Sequence, residues 1–214
     1  MPLIILACLL AVPAHAGAWL RAEGTGFLST SVLQGEEGQS DGALFFEYGV
    51  RPQLTLGLKL DANMIAGRLG GGSGFVFARM PIETGERPFK LAYEIGLGAT
   101  LDDQTDPLLR TGLSYGRGLK WRDHYGWLAV DFAVEWSLAG ETHTGKLDTT
   151  MGFSISETTK LMMQVFVSST ETDANVTLAP SIIWQPRPKK PSYQLGLEAE
   201  KGELSLRLGL WQEF

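Results

Sequence analysis

Residues 53–64, QLTLGLKLDANM, divide between two faces: Leu54, Leu56, Leu58, Leu60, Ala62 and Met64 on one, Thr55, Gly57, Lys59, Asp61 and Asn63 on the other. A helix would scatter both sets, whereas a strand reverses its side chains at every residue and keeps them apart. The same period of two returns in residues 89–99, where Phe89, Leu91, Tyr93, Ile95, Leu97 and Ala99 stand opposite Lys90, Ala92, Glu94, Gly96 and Gly98. It returns in residues 128–138, where Leu128, Val130, Phe132, Val134, Trp136 and Leu138 stand opposite Ala129, Asp131, Ala133, Glu135 and Ser137. Continued along the chain, the period predicts twelve strands, near residues 24–33, 42–50, 53–64, 72–81, 88–100, 107–117, 125–138, 145–155, 159–169, 175–185, 192–200 and 203–214. Phe45, Phe75, Phe77 and Ile183 blur the alternation, and ten strands is the alternative count.

The placement of charge says what surrounds these strands. The polar faces carry Lys59, Arg79, Lys90, Arg110, Lys146, Lys160 and Arg207 with Glu47, Asp61, Glu94, Asp131, Glu135, Asp148, Glu198 and Glu203, and no Asp, Glu, Lys or Arg falls on an apolar face. A charge facing lipid costs about 2–4 kcal/mol at the bilayer midplane, so a membrane enforces this exclusion. A soluble sandwich core excludes charge too, and the connections separate the two cases. If successive strands run up and down, one set of connections holds ten acidic and two basic residues, and the other four acidic and eight basic. On the second side the outward strand ends carry Tyr48, Phe89, Tyr115, Trp184, Tyr193 and Phe214, rings suited to a membrane interface; Trp136 is the clearest on the opposite rim. The expected fold is therefore all-β: a transmembrane antiparallel up-and-down β-barrel of about twelve strands, with both termini on one side.

Residues 1–16, MPLIILACLLAVPAHA, are apolar and uncharged and end in the small-x-small triplet Ala14-His15-Ala16. They read as a secretory signal cleaved before Gly17. Residues 17–214 then form a single barrel domain, since twelve strands of roughly ten residues and their short connections use about 190 residues. Cys8 is the single cysteine and lies in the leader, which leaves neither a disulfide framework nor a thiolate site beyond it. Lipidation of Cys8 is disfavoured because only seven residues precede it and the apolar run continues past it. No later run approaches the roughly 18 apolar residues of a spanning helix. A formal charge of −6 with no basic block excludes an ordinary nucleic-acid surface.

Function must come from the lumen and the loops, because the fold alone hosts pores, enzymes and scaffolds. Seven basic and eight acidic inward charges nearly cancel: Lys59 lies beside Asp61 and Arg79, Lys90 beside Glu94 and Arg110, and Asp148 beside Lys146 and Lys160, close enough to bridge. Opposed charged walls would orient small polar or charged solutes in a narrow passive channel. The same residues could instead cross-link into a polar core and leave a non-conducting structural barrel. Inward Gly57, Gly96, Gly98, Gly112, Gly116, Gly152, Gly196 and Gly209 argue for open space, or for strand curvature. A third reading, a lipid-active hydrolase at the rim, would need His143 to meet Ser137 and Glu141 or Asp148. Asp102, Asp103 and Asp106 are weak candidates for a divalent cation, without the spacing of a helix-loop-helix calcium site. No cofactor motif is present.

The last strand, GELSLRLGLWQEF, ends in Phe214 with Leu210, Leu208, Leu206 and Leu204 at alternate positions behind it. It resembles the terminal strand that outer-membrane β-barrels of Gram-negative bacteria present to their assembly machinery, departing at Gln212, with Trp211 one place off. The opening GAWLRAEGTGFLSTS and closing LRLGLW resemble a group of small, functionally uncharacterised proteobacterial barrels. The resemblance implies an outer-membrane location with periplasmic termini. It implies assembly through Phe214, Leu210, Leu208 and Leu206, and outer-membrane lipid and lipopolysaccharide as neighbours. It implies no activity.

Overall fold

The computed structural model describes residues 17–35, 38–65, 68–102, 105–140 and 142–214; the leader lies outside them. Twelve antiparallel strands follow in chain order: β1 Gly26–Gln34, β2 Gln39–Arg51, β3 Leu54–Ile65, β4 Arg68–Ile82, β5 Phe89–Thr100, β6 Pro107–Trp121, β7 His124–Ser137, β8 His143–Ser154, β9 Thr159–Ser169, β10 Ala174–Trp184, β11 Ser192–Glu200 and β12 Glu203–Glu213. Each pairs with its neighbours in sequence, and β1 pairs with β12, so the sheet closes into a barrel. Closure removes the sheet edges, which is the condition for a sheet in hydrocarbon, where an unpaired N–H or C=O costs several kcal/mol.

Alternation then sorts the side chains. Leu56, Ile95, Leu97, Leu113, Leu195, Leu197, Leu206 and Leu208 stand exposed on the outer surface. Glu47, Arg79, Glu94, Arg110, Glu135 and Glu198 are buried inside. This inversion of a soluble protein's pattern is stable only where the exterior is itself apolar.

The seam is fastened at its end. Phe27 to Gln34 of β1 face Glu213 to Leu206 of β12. Beyond this ladder the Gly26 N–H donates to the Phe214 carbonyl at 2.7 Å, and the Phe214 N–H donates to the Gly26 carbonyl at 3.1 Å. The Phe214 ring fills the space where a Cβ of residue 26 would stand, and stacks on Phe46 of β2 with centroids 6.2 Å apart. Three strands therefore meet at one ring.

Two features depart from the alternation as read. The segment RGLKWRDH, expected as a connection, continues β6 to Trp121 and leaves Arg122 and Asp123 as the turn, with Arg122 at φ 54°. Its extension carries Arg117 onto the outward row beside Phe89. It also presents Trp121 and Tyr125, both more than half exposed, as further rings at the end that carries the termini. Secondly, Phe75, Phe77 and Ile183 do not interrupt the pattern but are inward residues, buried inside the barrel.

Removing the Phe214 ring uncovers Gly26 and loses the stack on Phe46. Phe214→Ala, at an outward-facing ring, is therefore expected to destabilise the barrel by about 1–2 kcal/mol, read as a lower temperature for loss of the fast-migrating folded band in gel electrophoresis. Gly26→Val, which collides with the same ring, should give the same defect. Gly118→Ser, with nothing within 4 Å of its added Cβ, should leave the transition unchanged.

Candidate functional site

The lumen is organised by a chain of alternating charges. Arg21, in the segment before β1, donates from Nε to Glu47 Oε2 on β2 at 2.9 Å, and the other Glu47 oxygen takes Arg79 of β4. Arg79 Nη2 reaches Glu94 Oε2 on β5 at 2.7 Å. Glu94 Oε1 accepts from Arg110 Nε on β6 at 2.9 Å. Arg110 Nη1 reaches Glu135 Oε1 on β7 at 2.6 Å, and Lys146 Nζ of β8 reaches Glu135 Oε2 at 2.8 Å. Every glutamate in the chain uses both oxygens on different cations. That satisfaction is what allows the charges to be buried, since a charge left without its partner costs about 3–5 kcal/mol.

Strand geometry sets the course of this chain. Cross-strand partners lie perpendicular to strands that tilt, by roughly 35–45° in barrels of this kind, so a line of partners climbs as it goes round. The chain starts on β2 near the end that carries the termini and finishes on β8 near the opposite end. It passes over β3, which contributes Thr55 and Gly57 opposite Arg79 and Phe77. Thr55 is fully buried, and its Oγ1 accepts the Arg21 backbone N–H at 3.0 Å.

Aromatic rings pack beside the charges. Phe77 lies over Gly57, Phe75 over Gly98 and Trp127 over Gly152, each where a Cβ would stand. These inward glycines are seats for rings, not open space. The Arg79 guanidinium lies 5.1 Å from the Phe77 ring centroid and that of Arg110 5.8 Å from Phe75, so the rings cover flanks of the charge chain that would otherwise need water. Lys160 sits 5.8 Å above Trp127, which packs with Met162, Ile183, Trp19 and Trp211. On the far wall a smaller group joins Arg207 to Glu198, with Arg207 Nη1 donating to Ser31 Oγ at 3.2 Å.

Other predicted site residues are distributed as follows. Lys59 and Asp61 pair at 3.4 Å beside the open lumen. Lys90 is exposed at the end of β5 and leaves Glu94 to the two arginines, contrary to the expected pairing. Asp148 has no ion pair among the described residues; Lys146 binds Glu135 instead, and Asp148 faces Asp131 across β7 and β8. Glu203 is exposed at the rim opposite Glu200. Tyr48, Phe89, Tyr115, Trp184 and Tyr193 lie on outward rows, with Phe89 to Tyr115 centroids at 5.6 Å and Trp184 to Tyr193 at 5.9 Å.

The hydrolase grouping does not assemble. The His143 ring packs outward against Trp136, tilted, with centroids 4.8 Å apart, the Ser137 hydroxyl accepts the Gly140 N–H at 2.9 Å, and Asp148 is on the inward row. Glu141 lies outside the described residues. So does Asp103; among the described residues no three His, Cys, Asp or Glu side chains gather as metal ligands.

Sequence reading missed the segment that precedes β1. Residues 17–25 fold back into the barrel: Ala18 and Arg21 are buried, and the Gly17 carbonyl accepts from Arg79 Nη1 at 3.1 Å. The signal available was composition, since Trp19 and Arg21 stand outside any alternating run. Beside this segment remains a cavity of about 2170 Å³, lined from Pro52, Ser156 and Lys190 at one end to Gly72, Ser73 and Ser168 near the other.

No protein-family model matches the sequence, and no curated protein sequence matches it significantly. Solved structures share its fold. The KdgM porin superposes with a TM-score of 0.67 at 8% identity, covering 88% of this chain and 99% of that one. The NanC porin gives 0.63 at 10% identity, covering 86% and 98%. The COG4313 outer membrane channel from Pseudomonas putida F1 gives 0.54 at 10% identity, covering 94% and 99%. The chain thus has the fold of bacterial outer-membrane β-barrels, built here from twelve strands.

Proposed function

We propose that this protein is a narrow passive channel of the bacterial outer membrane, with both termini on the periplasmic side, that passes small polar or charged solutes. The carrying observation is the cavity of about 2170 Å³, whose lining runs from the turns at one end of the barrel almost to those at the other. A packed polar core would break that path. The walls differ in chemistry: β2 and β4 to β8 supply the charge chain, while β9 to β12 and β1 contribute Met162, Phe166, Ile183 and Trp211 with Lys160 and Arg207 set among them. A solute with separated charges is oriented by such a field, and its apolar portion has a wall to slide along. Phe214 and the leucines behind it serve assembly in this reading, the interface rings set the depth in lipid, and lipopolysaccharide surrounds the acidic end.

One observation favours the non-conducting alternative: residues 17–25 and the Trp127 cluster occupy the end that carries the termini. Planar-bilayer recording of the refolded protein separates the two. Discrete conductance steps are expected, and Lys59→Glu, at a partly exposed site on the cavity wall, should shift the ion selectivity towards cations. Silence from protein that still shows the heat-sensitive folded band would sink the channel and leave the scaffold.

The charge chain itself is a separate matter of stability. Glu94→Gln strips both Arg79 and Arg110 of a carboxylate, and a loss of about 3–5 kcal/mol is expected, visible as a lower urea midpoint in lipid vesicles. Lys201→Ala, which removes the exposed turn pair with Asp173, should cost less than about 1 kcal/mol.

A further inference from the structure

Gly17, in the segment before β1, is buried, and its surroundings are specific. A Cβ built on Gly17 would overlap the Asp131 carboxylate, with Oδ2 and Cγ at 2.8 and 2.9 Å. No side chain fits there. Asp131 lies well inside the barrel on β7 and holds a hydrogen bond from Ser114 Oγ at 2.5 Å. It faces Asp148 across the sheet. Neither carboxylate has an ion pair among the described residues, although the cations of the charge chain are all engaged by Glu47, Glu94 and Glu135. Asp131 thus lies beside Gly17 without a paired cation among the described residues.

Export supplies one. The Ala14-His15-Ala16 triplet places leader cleavage at Gly17, which turns the Gly17 nitrogen from an amide into an ammonium on the very Cα that abuts Asp131. We propose that the lumen is a binding site for the protein's own processed amino terminus: the Gly17 ammonium pairs with Asp131, and the segment behind it is pinned by Arg79 on the Gly17 carbonyl and by Arg21 on Glu47. Three independent contacts hold one short strap. Trp19, whose ring lies over Gly116 at 2.6 Å from where its Cβ would be, packs with the Trp127 cluster and fixes the strap against the wall. The uncleaved chain has an amide at this position and cannot make the pair, so Asp131 gains its cation only after export. The inference does not depend on conduction.

The test is the reactivity of the Gly17 amine in protein exported with its own leader and extracted folded from outer membranes. Intact mass should first show a chain beginning at Gly17; any other terminus overturns the proposal. A small amine-acylating reagent at neutral pH, read by mass spectrometry of the amino-terminal peptide, should modify Gly17 at least tenfold more slowly in folded protein than after denaturation. Asp131→Asn keeps the shape and removes the charge, and should raise the folded-state rate fivefold or more. A chain lengthened by two residues before Gly17, which moves the ammonium away from Asp131 without altering the barrel, should also label fast. Equal labelling of folded and denatured wild type, or wild-type protection in the lengthened chain, overturns the proposal. A folded Asp131→Asn protein that labels at the wild-type rate overturns it as well. These outcomes leave the bilayer recordings to judge the channel separately.

Discussion

A sheet in hydrocarbon has no water to bond its edges, and the pairing of β1 with β12 is the constraint on which everything else in this barrel depends. The ladder from Phe27 against Glu213 to Gln34 against Leu206 removes both edges at once. Once closed, the sheet has an inside and an outside fixed by parity, and every inward residue must be satisfied within a confined space. The charge chain, the ring seats and the strap of residues 17–25 are answers to that confinement. The Phe214 ring over Gly26 matters because it fastens the point at which closure is made.

Inside, the choice was between filling and spanning. A single layer of side chains on twelve strands does not reach the barrel axis, and the structure divides the labour. Arginine, long and planar with five donors, bridges from strand to strand and lets each glutamate serve two cations. Aromatic rings lie down over glycines and cover the chain's flanks. The remainder is left as cavity. Charge and aromatic character, which on a soluble surface would be scattered, are here arranged along the direction perpendicular to the strands.

Much of this was legible in the sequence because parity is a local property. The strand pattern, the absence of charge from outward rows and the inward placement of Glu47, Arg79 or Glu135 follow from counting residues by two. What was not legible needed the register between strands. The sequence sets Glu94 beside Lys90, its neighbour along β5, yet the register places Arg79 of β4 directly opposite it and Arg110 of β6 opposite the next inward residue, Gly96. The inward glycines looked like space because their fillers, Phe77, Phe75 and Trp127, come from adjacent strands. Phe75 and Ile183 read as interruptions in the sequence because inward means polar only where water reaches, and both are buried. The end of β6 was hidden because Gly118 and Arg122 look like turn residues, and the hairpin pairing that overrides them is a tertiary fact.

The oblique run of ion pairs also has a mechanical meaning. It ties β2, β4, β5, β6, β7 and β8 together across their hydrogen-bond ladders, as a brace stiffens one side of a cylinder. In the arc from β9 through β12 to β1 the described residues hold one ion pair between strands, Arg207 to Glu198, and in β10 Pro180 supplies no N–H to the ladder. Squeezed by the lateral pressure of a membrane, such a cylinder does not shrink evenly: its unbraced arc flattens or bows first, and the cross-section turns elliptical while the braced side keeps its curvature.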